Sequence, residues 1–151
     1  LSYLLNTMKK LSLIFAIFFG VLTASARNYT HDVNVLPEQA HAIIAENFNS
    51  EISHIKIGKE FGQIRAYDVV MTDGSKISFD KHGNWKEVEV GGSRAVPSAL
   101  IPSPIKTFVK DNQKAVKVTG IEKNNYGYDV ELSNGIDAQF TEKGKFISYN
   151  K

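Results

Sequence analysis

Cysteine is absent from all 151 residues. That excludes disulfides, thiolate nucleophiles, Cys-ligated zinc and a lipid-modified N-terminal Cys. An excess of one charge is missing too. The chain has 18 Lys+Arg against 16 Asp+Glu. Lys9 and Lys10, the only charged residues among residues 1–26, account for the difference of two. The remainder is balanced, which speaks against a nucleic-acid binder relying on phosphate neutralisation. No apolar run reaches the roughly 20 residues of a spanning helix. H-E-x-x-H, the G-x-S-x-G elbow and a phosphate loop are all missing. The four histidines, His31, His41, His54 and His82, show no metal-ligand spacing. No cofactor and no metal site is expected.

The N-terminus carries an export pattern. Met8-Lys9-Lys10 reads as a start and a positive n-region, and Leu11 to Leu22 is apolar apart from Ser12 and Gly20. Ala24-Ser25-Ala26 supplies the small residues of a cleavage site. Residues 1–26 are therefore expected to be a signal peptide cleaved after Ala26, with residues 1–7 upstream of the true start. Residues 27–151 are expected to form one domain without a stable membrane anchor, in the periplasm or secreted.

The mature part repeats its own pattern. Leu36-Pro37 precedes the apolar trio Ala40, Ile43 and Ile44; Ile101-Pro102 precedes Ile105, Phe108 and Val109. The spacing i, i+3, i+4 puts each trio on one helix face. Tyr67-Asp68-Val69 then matches Tyr128-Asp129-Val130, Asp73-Gly74 matches Asn134-Gly135, and Phe79, Gly83 and Trp85 match Phe140, Gly144 and Phe146. Ser103 is placed to cap the second helix, with Pro104 at its first position. Alternation at Tyr67, Val69, Met71 and at Tyr128, Val130, Leu132 predicts half-buried strands. Asp-Gly and Asn-Gly between such runs predict type I′ hairpin turns. Gly58 to Gly62 reads as a hairpin loop. The expected class is α+β: two repeats, about 33–90 and 98–151, joined by a linker over 91–97. Each repeat is a helix followed by an antiparallel meander, and together they form one curved sheet with both helices on one face.

Five residues are candidates for binding. Asp68 and Asp129 occupy equivalent strand positions that face away from the core. A carboxylate pair serves acid–base catalysis when about 5–10 Å apart, but these two belong to different repeats. Beyond Gly83, strict alternation groups Trp85 with Glu87 and Glu89, opposite Val88 and Val90; beyond Gly144 it groups Phe146 with Ser148 and Asn150. This would set Trp85, Glu87 and Phe146 on the open sheet face, where aromatics make good binding anchors. A β-bulge beside each glycine turn is the alternative and would turn both aromatics inward.

The ordered pattern of Leu-Pro and a helix, Tyr-Asp-Val, Asp-Gly, Phe-Asp, Gly-Asn-Trp, then Val-Pro and Ile-Pro with a second round, resembles the PepSY-like, beta-lactamase-inhibitor-like exported proteins of the Bacteroidetes over about residues 33–151. The second round departs at Thr141, where the first has Asp80, and at Phe146 for Trp85. The resemblance implies a tandem helix-plus-sheet fold similar to beta-lactamase inhibitory protein, a periplasmic location and no catalytic activity. It does not imply inhibition of a beta-lactamase. The expected function is a non-enzymatic binding or inhibitory module acting on an envelope or periplasmic protein through a sheet face. The alternative is a carrier that holds a small apolar or envelope-derived ligand among Tyr67, Phe79, Phe108, Tyr128 and Phe140.

Overall fold

The computed structural model describes residues 28–150. The expected signal peptide and its cleavage site lie outside the described residues. Strand β1 (Tyr29–Thr30) leads through a short 3-10 turn to helix α1 (Glu38–Asn47), then to β2 (Ile52–Glu60), β3 (Gln63–Met71), β4 (Lys76–Asp80) and β5 (Trp85–Glu89). A second 3-10 turn and helix α2 (Ser103–Asn112) precede β6 (Val118–Lys123), β7 (Gly127–Leu132), β8 (Asp137–Thr141) and β9 (Phe146–Asn150). All nine strands form one antiparallel sheet in sequence order. The class is α+β.

Both helices begin on a proline carbonyl. Pro37 accepts from the N–H groups of Ala40 and His41, and Pro102 from those of Ile105 and Lys106. Neither start has a side-chain cap. Ser103 is thus the first residue of α2 rather than its cap, one position earlier than the Ser-Pro pair suggests. Proline fits at the boundary because its fixed φ is pre-set for the turn and its missing N–H would lack an intrahelical partner there.

Period-two alternation sorts the sheet into two faces. Ile55, Val69, Ile77, Val88, Ile121, Val130 and Ala138 pair in register from β2 to β8. They join Ala40, Ile44, Ile105 and Val109 of the helices in one buried core. Phe79 and Phe140 are its largest fully buried side chains. Burying each such side chain contributes about 1.5–3 kcal/mol.

The hairpin turns differ from the expected type. At Asp73-Gly74 and Asn134-Gly135 only glycine has positive φ. The N–H of Gly74 donates to the carbonyl of Met71, and that of Gly135 to the carbonyl of Leu132. These are three-residue loops, a type I turn closed by a left-handed glycine, as are the loops ending at Gly83 and Gly144. The paired positive φ values of a type I′ turn occur instead at Phe61-Gly62, φ 48° and 76°, between β2 and β3. β2 runs through Gly58 to Glu60, so the loop expected there shrinks to two residues.

The glycine turns also seat the helices. A Cβ on Gly83 would lie 3.0 Å from the Ala40 nitrogen and 3.0 Å from Pro37 Cβ; one on Gly144 would lie 3.0 Å from Pro104 Cβ. A Cβ on Gly74 would meet nothing within 4 Å. Gly74→Ala should therefore cost only the left-handed backbone term, about 1–2 kcal/mol. Gly83→Ala should cost measurably more in urea unfolding, because α1 must also shift. Equal losses would show that α1 does not rest on this turn.

The segment joining the two halves is tied down. Val90 and Val96 donate their N–H groups to Thr119 and Val118 of β6, and Val96, Leu100 and Ile101 are buried. The Arg94 guanidinium pairs with the Asp73 carboxylate at 2.5 Å.

Candidate functional site: the open face of the sheet

On both sheet halves a bulge follows the glycine turn. Phe79 pairs with Trp85 while Ser78 pairs with Glu87, which leaves Lys86 as the extra residue. Phe140 pairs with Phe146 while Gln139 pairs with Ser148, which leaves Ile147 extra. The bulge turns both aromatics toward the helices and corrects their placement on the open face. Trp85 is 8% exposed and belongs to the core, with Lys123 Nζ 3.6 Å from its ring centroid. Phe146 is half-buried, stacked on Phe108 of α2 at 4.4 Å between ring centres and set edge-on to Phe140. Tyr67, Phe79 and Phe140 are buried, and Phe108 and Tyr128 pack against the same core. The aromatics a carrier would need as lining are thus part of the packed core.

Beyond the bulges the polar residues stay on the open side, where they form two rows. Lys56, Asp68, Ser78, Glu87, Glu122, Asp129, Gln139 and Ser148 pair in register from β2 to β9. The next row runs Lys76, Glu89, Gly120, Glu131, Asp137, Asn150. Asp68, Glu87 and Asp129 do share this face. Strand spacing of about 4.8 Å puts Asp68 on β3 and Asp129 on β7 about 19 Å apart, too far to act as a catalytic pair.

Few hydrogen bonds relieve these carboxylates on the β4–β6 strands. Asp68 accepts from the Ser78 hydroxyl at 2.8 Å. Asp129 accepts from Asn124 and from the Tyr126 hydroxyl. Gln139 in turn donates to that hydroxyl and accepts from Ser148. Glu87, 8% exposed, accepts no hydrogen bond among the described residues. Glu89 Oε2 is buried without a hydrogen bond, although the Lys76 ammonium lies 3.6 Å away.

Burial, aided in four cases by repulsion from neighbouring carboxylates, raises the proton affinity of five of these acids. Burial, then the charges of Glu122, Glu89 and Asp68, push Glu87 up to about 8, against the pull of Lys76. Burial followed by Asp129 raises Glu122, and burial followed by Asp137 and Glu89 raises Glu131. Asp68 and Asp137 are raised as well, again first by burial. Burial and the bond to Asp129 lift Tyr126 to about 12. Like charges directly opposite one another across strands destabilise a sheet, and Glu87 faces Glu122. Among the described residues no group of three His, Cys, Asp or Glu is arranged to hold a metal ion.

Sequence reasoning missed Glu89, Glu122, Glu131 and Asp137 as members of one site. Their alternation with Val88, Ile121 and Val130 was a usable signal for the face. The pairing of β5 with β6, across about thirty intervening residues, carried none.

A family model described as "Putative beta-lactamase-inhibitor-like, PepSY-like" matches residues 65–148. Three solved structures are similar. One from Bacteroides vulgatus, a "putative periplasmic protein of unknown function", is 34% identical with a TM-score of 0.77, covering 83% of this chain and 100% of that one. A "putative calcium-regulated periplasmic protein" from Bacteroides thetaiotaomicron is 34% identical with a TM-score of 0.73, covering 80% and 94%. A further "putative periplasmic protein" from B. vulgatus is 32% identical with a TM-score of 0.74, covering 84% and 100%. No protein of curated function matches the chain.

Proposed function

The chain belongs to the PepSY-like, beta-lactamase-inhibitor-like family, and we propose that it is an exported, non-enzymatic binding module that engages a protein of the bacterial envelope through the open face of its sheet. The supporting observation is the division of labour between the two faces. Two helices and every large buried aromatic occupy one side, and two register-aligned polar rows occupy the other. A periplasmic setting fits the periplasmic relatives from Bacteroides and the export pattern of residues 8–26. The matching positions of helices, turns and bulges fit two copies of one ancestral unit, about 33–90 and 98–151. Inhibition is one form such binding could take, although no inhibited enzyme follows from these residues. Calcium regulation, named for one relative, is not carried over, since no three carboxylates among the described residues converge on a metal position.

The test is affinity capture from a native envelope extract with tagged residues 27–151, beside a Ser78→Trp variant. Ser78 lies in the polar row between Asp68 and Glu87, so an indole there blocks the face while leaving the core untouched. One enriched envelope protein, lost with Ser78→Trp at unchanged circular dichroism, is the expected result. Capture that survives the block would sink the open-face reading.

A further inference from the structure

We propose that the open face receives a lysine- or arginine-rich segment of the partner protein, with one cationic head seated in the recess between Glu89 and Glu131. This rests on the open-face reading above and names the chemistry of the partner.

Four carboxylates of the first row, Asp68, Glu87, Glu122 and Asp129, span β3 to β7. That is about 19 Å, the length of roughly six residues of extended chain at 3.3 Å each. In the adjoining row Gly120 stands between Glu89 and Glu131, and the Glu131 carboxylate lies over it, 3.0 Å from where a Cβ would sit. A recess of about 320 Å³ lies beside it, lined by Glu89, Val90, Thr119, Glu131, Leu132 and Ser133 with the glycine backbone of Gly91, Gly92 and Gly135 at its rim. It is large enough for an ammonium or guanidinium head, with Glu131 and, beside its Lys76 partner, Glu89 to meet it.

Acidic residues on a surface are ordinarily just solvated. Here Glu87 is more than nine-tenths buried in the middle of the row and has no hydrogen-bond donor among the described residues. The groups facing it are Asp68 of β3, Lys76 and Ser78 of β4, Glu89 of its own strand and Glu122 of β6. Three are carboxylates and one is a cation. A buried acid left without donors costs free energy, and a cationic side chain laid over the row would supply them. Nucleic acid would be repelled. A single divalent ion finds no three ligands together among the described residues. A chain of spaced cations matches carboxylates spaced by the strands. Binding would ionise Glu87, whose affinity for its proton is raised in the free protein, and so would release a proton near neutral pH.

Isothermal titration of residues 27–151 with a decalysine peptide tests this. The expected result is one-to-one binding that is about tenfold weaker in Glu87→Gln/Glu122→Gln, the loss of a charge-assisted contact. Binding should weaken as pH falls from 8 to 6 and should release protons, read from buffers of different ionisation enthalpy. Glu38→Gln/Glu46→Gln on α1 removes the same charge elsewhere and should change little. An equal loss in the α1 variant, no proton release, or binding of calcium or spermine without binding of decalysine would each overturn the proposal. The envelope capture separates the two readings. A partner lost with Ser78→Trp but retained by Glu87→Gln/Glu122→Gln removes the basic segment and keeps the face. A partner retained by Ser78→Trp removes the face itself.

Discussion

Glu87→Gln should stabilise the protein at pH 9 by as much as about 5 kcal/mol and make no difference near pH 4. The side chain is carried from 4.5 up to about 8 in the folded state by burial and by Glu122, Glu89 and Asp68. A folded-state pKa above the unfolded value means that the native protein holds this proton more tightly. The contribution is therefore fully present below about pH 4.5, declines as pH rises, and is gone above about 8. Every tenfold gain in proton affinity corresponds to about 1.4 kcal/mol, so the rise from 4.5 to about 8 sets a ceiling of about 5 kcal/mol. Relaxation of neighbouring side chains lowers the measured value. Gln keeps the shape, never ionises, and removes the dependence. The measurement is urea unfolding of both proteins at pH 4, 6, 8 and 9. A difference that stays constant across that range would show that Glu87 does not titrate as described. Asp68, Glu122, Glu131 and Asp137 are raised as well, so the parent protein should be more stable in mild acid than at pH 9. Total stabilities are only about 5–15 kcal/mol, which makes this patch a substantial burden on the free protein. A burden that a cationic partner would relieve is what a binding face looks like energetically.

Most of the fold was legible because it is written in short-range patterns. The trios on α1 and α2, the alternation at Val69 and Met71 or Val130 and Leu132, and the glycine turns each concern fewer than ten residues. They placed both helices and the hairpin strands. Turn type was read less well. Asp-Gly is compatible with two loop lengths, and here a type I turn closed by the left-handed glycine makes the three-residue loop at Gly74, leaving the two-residue form to Phe61-Gly62. The site was legible in part. Asp68, Glu87 and Asp129 are on the open face as their parity required. What joins them is the register of β5 on β6, which sets Glu87 opposite Glu122 and Glu89 opposite Gly120. That pairing follows from how α2 and the segment around Val96 pack, not from any local spacing. The balanced net charge hid the site further, because the carboxylates gathered on one face are offset by lysines and arginines spread along the whole chain.

Trp85→Ala should cost about 3–5 kcal/mol, the usual range for truncating a buried Trp, and this is a loss of folding rather than of binding. Alternation alone assigns Trp85 to the face of Glu87. The bulge at Lys86 overrides alternation because the two outcomes differ sharply in energy. An outward indole would leave its apolar rings in water and a gap beside Phe79. Turned inward, the ring fills that gap opposite Phe79, and the Lys123 ammonium covers it at 3.6 Å, a cation–π contact of about 0.5–2 kcal/mol. The bulge costs one unpaired backbone position at the end of a short strand. Burial of the indole outweighs it. Phe146 makes the same turn on β9 but stays half-buried, so Phe146→Ala should cost less than Trp85→Ala. Trp85 is the sole Trp, and its emission reports the placement directly. A blue-shifted maximum, weak quenching by acrylamide and a red shift on urea unfolding are expected. Below the unfolding range, Trp85→Ala should bind decalysine as the parent does, since its ring lies across the sheet from the acidic rows. A red-shifted native maximum with unchanged stability would return Trp85 to the open face and make it a binding anchor after all.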